Sequence, residues 1–227
     1  MRNRPKILLS DDKVRYVRSL VIHDADGLLA FNKPSGLAVQ TRGNRGLSLD
    51  HLLWAFARSN GKRPRLVHRL DAGTSGLILA AHTKPATVFL SEQFAHRHVE
   101  KTYYALVAGN LPDKANGVCD LPLLKTGRIS RPGAVAEGAQ AAETAWKIIQ
   151  RTGDIALMQA KPKTGRMHQI RVHFAALGCP IIGDPVYGSA TDKAQRLMLH
   201  AAALSFQAPD KTPLKLEVPL PDEFHST

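Results

Sequence analysis

The chain has 227 residues, 44% hydrophobic and 22% charged, enough for one large core or two smaller ones and too apolar for wholesale disorder. Thirty-one Lys and Arg against nineteen acidic residues give a net charge of +12 and a pI near 10.0, a surplus that favours a polyanionic partner through counterion release. No apolar run spans a bilayer, no secretory segment follows the basic opening Met1-Arg2-Asn3-Arg4-Pro5-Lys6, and the two distant cysteines, Cys119 and Cys179, suit free thiols in a cytoplasmic protein.

In chain order, residues 1–18 read as a basic lead-in, an arm or an edge strand. Leu28-Leu29-Ala30-Phe31 predicts a buried strand closed by the turn Lys33-Pro34-Ser35-Gly36. Ser48 is placed to cap a helix whose Leu49, Leu52, Leu53 and Phe56 form one stripe. Leu77–Ala81 predicts a strand. Thr83 then caps a helix with Pro85 in its first turn and Ala86, Phe89, Leu90 and Phe94 on one face. Further strands are expected at Tyr103–Val107, Thr144–Ile149 and Ile155–Ala160, the last two joined through Arg151-Thr152-Gly153-Asp154. A helix is expected over Arg166–Leu177, with Thr164 before it and Gly178 and Pro180 stopping it. Residues 108–140 read mainly as loop and as the junction between two lobes. Strands in meander order with a few helices predict an α+β fold with a mixed, mainly antiparallel sheet.

The densest polar cluster is Leu66-Val67-His68-Arg69-Leu70-Asp71-Ala72-Gly73-Thr74-Ser75-Gly76-Leu77. Such a loop presents a carboxylate at a sheet edge while amides and hydroxyls hold it. On spacing alone, a tight turn in which Asp71 caps local amides is the favoured reading. His96 and His98 stand two apart and His168 and His173 five apart. Neither pair has the i, i+4 spacing that lets two histidines share a helical face, so no metal site is expected. No glycine-rich phosphate loop or dinucleotide fingerprint occurs, so no cofactor is implied.

His68-Arg69-Leu70-Asp71 with Thr74-Ser75-Gly76-Leu77 resembles the signature of the RluA-type RNA pseudouridine synthases. The likeness continues through Asn32-Lys33-Pro34-Ser35-Gly36, Lys101-Thr102-Tyr103-Tyr104-Ala105 and Gly165-Arg166-Met167-His168-Gln169-Ile170-Arg171-Val172-His173. It ends with Gly183-Asp184-Pro185-Val186-Tyr187-Gly188 and Arg196-Leu197-Met198-Leu199-His200-Ala201. Motifs in register from about Ser19 to Phe224 make chance matching untenable.

The resemblance implies a cofactor-free isomerase whose two lobes flank a basic cleft, acting on uridine in ribosomal or transfer RNA. Asp71 is the implied catalytic carboxylate, attacking the anomeric carbon or removing the 2′ proton; the sequence leaves both routes open. Tyr103 matches the tyrosine that stacks on the target base. Arg171 takes the place of the charge partner of Asp71, and its loss is expected to spare the fold. Arg69, His68, Thr74, Arg166 and His168 fall at RNA-contacting positions, with Arg69 beside the space that a flipped nucleotide vacates. Lys125, Arg128 and Arg131 around Gly127 offer contacts to phosphate, with a solvated charge run as the competing reading. The catalytic domain is expected over 19–227, as a monomer without DNA or membrane partners. The accessory RNA-binding domain of larger relatives is expected to be absent, since only about eighteen residues precede the matching region. Two rivals stand beside this reading, a non-catalytic RNA-binding assembly factor and a hydrolase. The intact Asp71, Tyr103 and Arg171 set opposes the first, and the missing second carboxylate opposes the second.

Overall fold

Local sequence chemistry accounts for most of the elements seen in the computed structural model, which describes residues 8–41, 47–188 and 194–225. The basic opening at residues 1–6 lies outside them. By its internal contacts the chain divides into two units: Met1–Val99 with Ser205–Leu216, and Glu100–Leu204 with Glu217–Thr227. The division therefore falls at Val99 and Glu100, not within residues 108–140.

The first unit begins with helix α1 (Asp11–Ser19), where an arm or edge strand was the expectation. Asp11 and Asp12 in its first turn and Arg18 in its last suit the helix dipole, and Val17 is its buried anchor. Strands β1 (Val21–Ala25) and β2 (Leu28–Lys33) form an antiparallel hairpin. Helix α2 (Leu49–Leu52) is short and tightens into a 3-10 turn over Leu53–Phe56. Ser48 caps it as expected, its hydroxyl accepting from the His51 amide. Strand β3 (Arg65–Leu66) and β2 both pair antiparallel with β4 (Ser75–Ala81). All seven residues of β4 are buried, which explains its unbroken small and apolar sequence. Helix α3 (Lys84–Ala95) starts at the predicted Thr83 cap. Its buried Gln93 imitates a strand, giving its amide to the Gln207 carbonyl and accepting the Gln207 N–H, at 2.9 and 2.8 Å.

The second unit contains β5 (Glu100–Ala108), β6 (Asn116–Cys119), β7 (Leu123–Thr126), β8 (Ile129–Pro132), β9 (Thr144–Thr152) and β10 (Ile155–Pro162). Helix α4 (Gln169–Ala176) and strand β11 (Leu199–Gln207) follow, β11 continuing into the first unit beyond Leu204, where β12 (Pro213–Glu217) pairs with it. Strands β11, β5, β10, β9 and β6 are successive neighbours, and β7 and β8 form a separate hairpin. The stretch 108–140, expected as loop, thus carries three strands. Its glycines serve strand and turn: Gly127 turns β7 into β8 with φ 62°.

The core of the second unit joins Ala105, Val107, Ala156, Met158 and Ala160 of the sheet to Ile170 and Phe174 of α4. Burying a side chain of Phe174's size contributes about 1.5–3 kcal/mol. Helix α4 is shorter than expected because His168, before its first residue, has a left-handed backbone with φ 56°. Cys119 and Cys179 are free and buried. After α4 the chain turns at Gly183, where φ is 73° and an added Cβ would lie 1.9 Å from the Arg196 carbonyl oxygen. No side-chain rotamer relieves that overlap. Gly183→Ala is expected to cost at least about 2 kcal/mol in chemical denaturation; a variant of wild-type stability would show that the turn yields.

Candidate active site

Asp71 sits in the loop that feeds β4, and the backbone just after it is clamped from the end of β2. Lys33 Nζ and the Gly36 N–H both donate to the Ala72 carbonyl, at 3.0 and 2.9 Å. The Ser35 hydroxyl donates to the Gly73 carbonyl at 2.7 Å. The Thr74 N–H closes the turn onto the Asp71 carbonyl at 3.1 Å. These contacts pin the main chain just after Asp71.

Lys33 is fully buried, and its ammonium also donates to the carbonyls of Pro34 and Leu37, both at 2.9 Å. Burial lowers its pKa to about 8, while the negative charge of Asp71 pulls it up. A lowered lysine pKa means that holding the charged form costs stability below about 8, a cost relieved as the pH climbs. Relative to Lys33→Met, wild type should gain about 1.4 kcal/mol per pH unit between about 8 and 10.5, read from denaturation midpoints. A flat difference across that window would refute the assignment.

In the second unit, Arg171 lies on α4 and is 5% exposed, not the surface arginine of a solvated helix. Its Nε and Nη2 donate to the two oxygens of Asp184, each at 2.7 Å, a planar fork that lysine lacks. Burial alone would raise the Asp184 pKa. The Arg171 hydrogen bond and charge, with the amides of Val186 and Tyr187, hold it below the ordinary carboxylate range. The Tyr187 ring lies 5.1 Å from the Arg171 guanidinium.

Helix α4 is fixed by a satisfied polar chain. The Gln169 amide uses all four of its hydrogen-bonding sites: its oxygen accepts from the Thr164 hydroxyl and the Arg166 N–H, and its nitrogen donates to the Glu143 carbonyl and Thr144 Oγ1. His173 continues the chain, with Nε2 on the Leu121 carbonyl and Nδ1 on Thr144 Oγ1. Leu121 can only accept, so Nε2 carries the proton and the Thr144 hydroxyl donates to Nδ1. Burial lowers the His173 pKa, in keeping with this neutral ring. Among the described residues no cluster of three or more His, Cys, Asp or Glu is arranged to hold a metal ion.

The remaining predicted residues divide by environment. Arg69 is exposed. His68 is turned into the first unit, stacked on Phe94 at 4.3 Å with Nε2 accepting the Leu79 N–H at 3.0 Å. Thr74 is 3% exposed. Both therefore support the loop. Arg166 is half-buried, its Nε donating to the Ala141 carbonyl. His168 Nδ1 meets the Tyr187 hydroxyl at 2.9 Å. Tyr103 packs against the core of the second unit and pairs with Ala160 across β5 and β10. Tyr104 pairs with Gln159 on the other face and accepts its side-chain amide. Lys33, Asp184 and Tyr187 fall within the sequence motifs, which assign them no role of their own. The usable signals were a lysine continuing an apolar strand and an Asp-Pro step directly after Ile181-Ile182-Gly183.

Residues 27–176 match the family described as RNA pseudouridylate synthase. The chain is 40% identical over 208 residues to an uncharacterised RNA pseudouridine synthase of Zymomonas mobilis, covering 88% of this chain and 93% of that one. It is 38% identical over 221 residues to ribosomal large subunit pseudouridine synthase C of Vibrio cholerae, covering 94% and 69%. It is 38% identical over 198 residues to the dual-specificity RNA pseudouridine synthase RluA of Vibrio vulnificus, covering 83% and 78%. Among solved structures, human RNA pseudouridylate synthase domain containing 4 aligns with a TM-score of 0.79 at 26% identity, covering 96% of this chain and 95% of that one. A family match of this extent, with relatives this similar along most of their length and a shared α+β architecture, means that the chain belongs to the RNA pseudouridine synthases, a family of isomerases.

Proposed function

We propose that the protein isomerises specific uridines of ribosomal or transfer RNA, with Asp71 as the catalytic carboxylate. The observation that carries this reading is the clamp of Lys33, Ser35 and Gly36 on the two residues after Asp71. It holds the main chain that carries Asp71 at the entry to β4, as a site that must orient a carboxylate requires. The reaction breaks the bond from uracil N1 to C1′, turns the base, and joins C5 to C1′. C5 gives up a proton and N1 gains one, so the composition of the RNA is unchanged. Asp71 serves by attacking C1′ or by removing the 2′ proton, two routes that one carboxylate fits equally well. Tyr103 stacks on the base and Arg171 is the charge partner of Asp71, roles that rest on the motif match. Arg69, Arg166 and His168 meet the RNA, while His68 and Thr74 act through the loop. The names of the relatives from Vibrio cholerae and Vibrio vulnificus support an RNA substrate of the ribosomal or dual kind.

The test is incubation of purified protein with large-subunit ribosomal RNA and with transfer RNA, followed by site-resolved pseudouridine mapping. New pseudouridine at discrete positions is expected, with activity falling steeply as salt rises. A synthetic stem-loop carrying the mapped uridine should react comparably, because a loop nucleotide has few stacking partners to lose on flipping. No pseudouridine in either RNA class would refute the activity. An inert stem-loop beside a reactive full transcript would refute local recognition alone.

A further inference from the structure

Tyr187 touches more of the second unit's polar machinery than any of the roles above requires. Its hydroxyl accepts the backbone N–H of Ser130, in the hairpin of β7 and β8, at 2.8 Å. The same hydroxyl meets His168 Nδ1 at 2.9 Å, at the strained residue that starts α4. The ring lies against the Arg171 guanidinium, and packs with Leu123 of the hairpin and Val172 of α4. Its own N–H is held by Asp184 Oδ1, the oxygen that also accepts from Arg171 Nη2. One side chain thus ties the hairpin, the helix start and the buried arginine together. Lys125, the cross-strand partner of Ser130, and Arg128 are exposed on either side of the Gly127 turn.

We propose that Tyr187 is a positioning residue that couples phosphate contact at this hairpin to the orientation of Arg171 and His168. RNA gripped by Lys125 and Arg128 steadies β7 and β8. Ser130, only 2% exposed, passes that constraint to the phenol through its N–H. A phenol oxygen that accepts from Ser130 still has its own proton to give. Donated to His168 Nδ1, that proton leaves the neutral imidazole with its N–H on Nε2, a donor fixed in direction. Phenylalanine at 187 would keep the packing, strand the buried Ser130 amide and remove this hydrogen bond from His168. The proposal rests on the reading that the protein is an RNA-modifying isomerase served by Arg171.

The test is a double-mutant cycle on the mapped RNA, using wild type, Lys125→Ala with Arg128→Ala, Tyr187→Phe, and all three changes together. Rates are read under single turnover at saturating RNA, and RNA affinity is measured separately. The hairpin variant is expected to lose affinity and also about tenfold in rate, and Tyr187→Phe about tenfold in rate; the combined protein should be no slower than Tyr187→Phe alone. Hydrogen exchange should show RNA protecting both residues 123–132 and 169–176 in wild type, but only 123–132 in Tyr187→Phe. A hairpin variant with weakened binding and an unchanged saturated rate overturns the coupling, whether or not Tyr187→Phe folds. So do rate losses that multiply to about a hundredfold in the combined protein. Wild-type turnover separates the two levels of the claim: turnover with multiplying losses overturns the coupling alone, and no wild-type turnover overturns the activity with it.

Discussion

Asp71→Asn is expected to reduce pseudouridine formation by about a thousandfold or more while RNA affinity stays within a few fold. Asparagine keeps the shape of the side chain and removes both of its chemical uses, nucleophilic attack and proton abstraction. The loop should survive the change, since Lys33, Ser35 and Gly36 bond the carbonyls of Ala72 and Gly73, which the substitution leaves in place. Equal thermal unfolding of variant and wild type, beside the lost turnover, would separate chemistry from folding. Asparagine can deamidate to aspartate, so the variant is assayed fresh and under multiple turnover. Rates near wild type would remove Asp71 from the reaction.

Arg171→Met should be the most damaging single change for activity and fold together. The expectation from sequence, a strong rate loss with the fold spared, is corrected by the environment of the side chain. Asp184 has no side-chain exposure and Arg171 has 6%, so methionine leaves a carboxylate buried without its cation. Breaking such a pair from one side costs about 3–5 kcal/mol. Arg171→Lys should recover part of the stability and little of the rate, because an ammonium cannot occupy both carboxylate oxygens. Combining Arg171→Met with Asp184→Asn removes the stranded charge and keeps an acceptor for the amides of Val186 and Tyr187. That pair should regain much of the stability and none of the activity. The acid limb has a definite sign: because the folded pKa of Asp184 is depressed, the stabilisation is complete above the unfolded value near 3.9 and is lost as the pH falls through the folded one. Wild-type turnover by a folded Arg171→Met protein would exclude Arg171 from catalysis.

The strands and caps were legible because their signals are local. Leu28–Phe31 and Leu77–Ala81 are short apolar runs, and Ser48 and Thr83 cap helices in the manner their side chains allow. Helix α1 was missed because it is short and mostly charged, with Val17 its one buried residue. The hairpin of β7 and β8 was hidden by glycine and basic residues that read as loop. Motif matching found the Asp71 loop, but not the clamp on it. The ammonium of Lys33 binds backbone carbonyls, which leave no mark in the side-chain sequence. The Asp184 partnership spans thirteen residues and the Tyr187 link to Ser130 fifty-seven, distances that only the folded chain closes.

The two buried cysteines make the native protein quiet toward sulfhydryl reagents. Burial pushes the Cys179 thiol up to about 11 and raises that of Cys119, so near neutrality both remain in the unreactive protonated form. A cysteine introduced at exposed Thr126, on the hairpin tip, would then be the one thiol that maleimides find quickly. A fluorophore there could report the arrival of RNA by its change in mobility or colour, without first stripping the natural cysteines from the core.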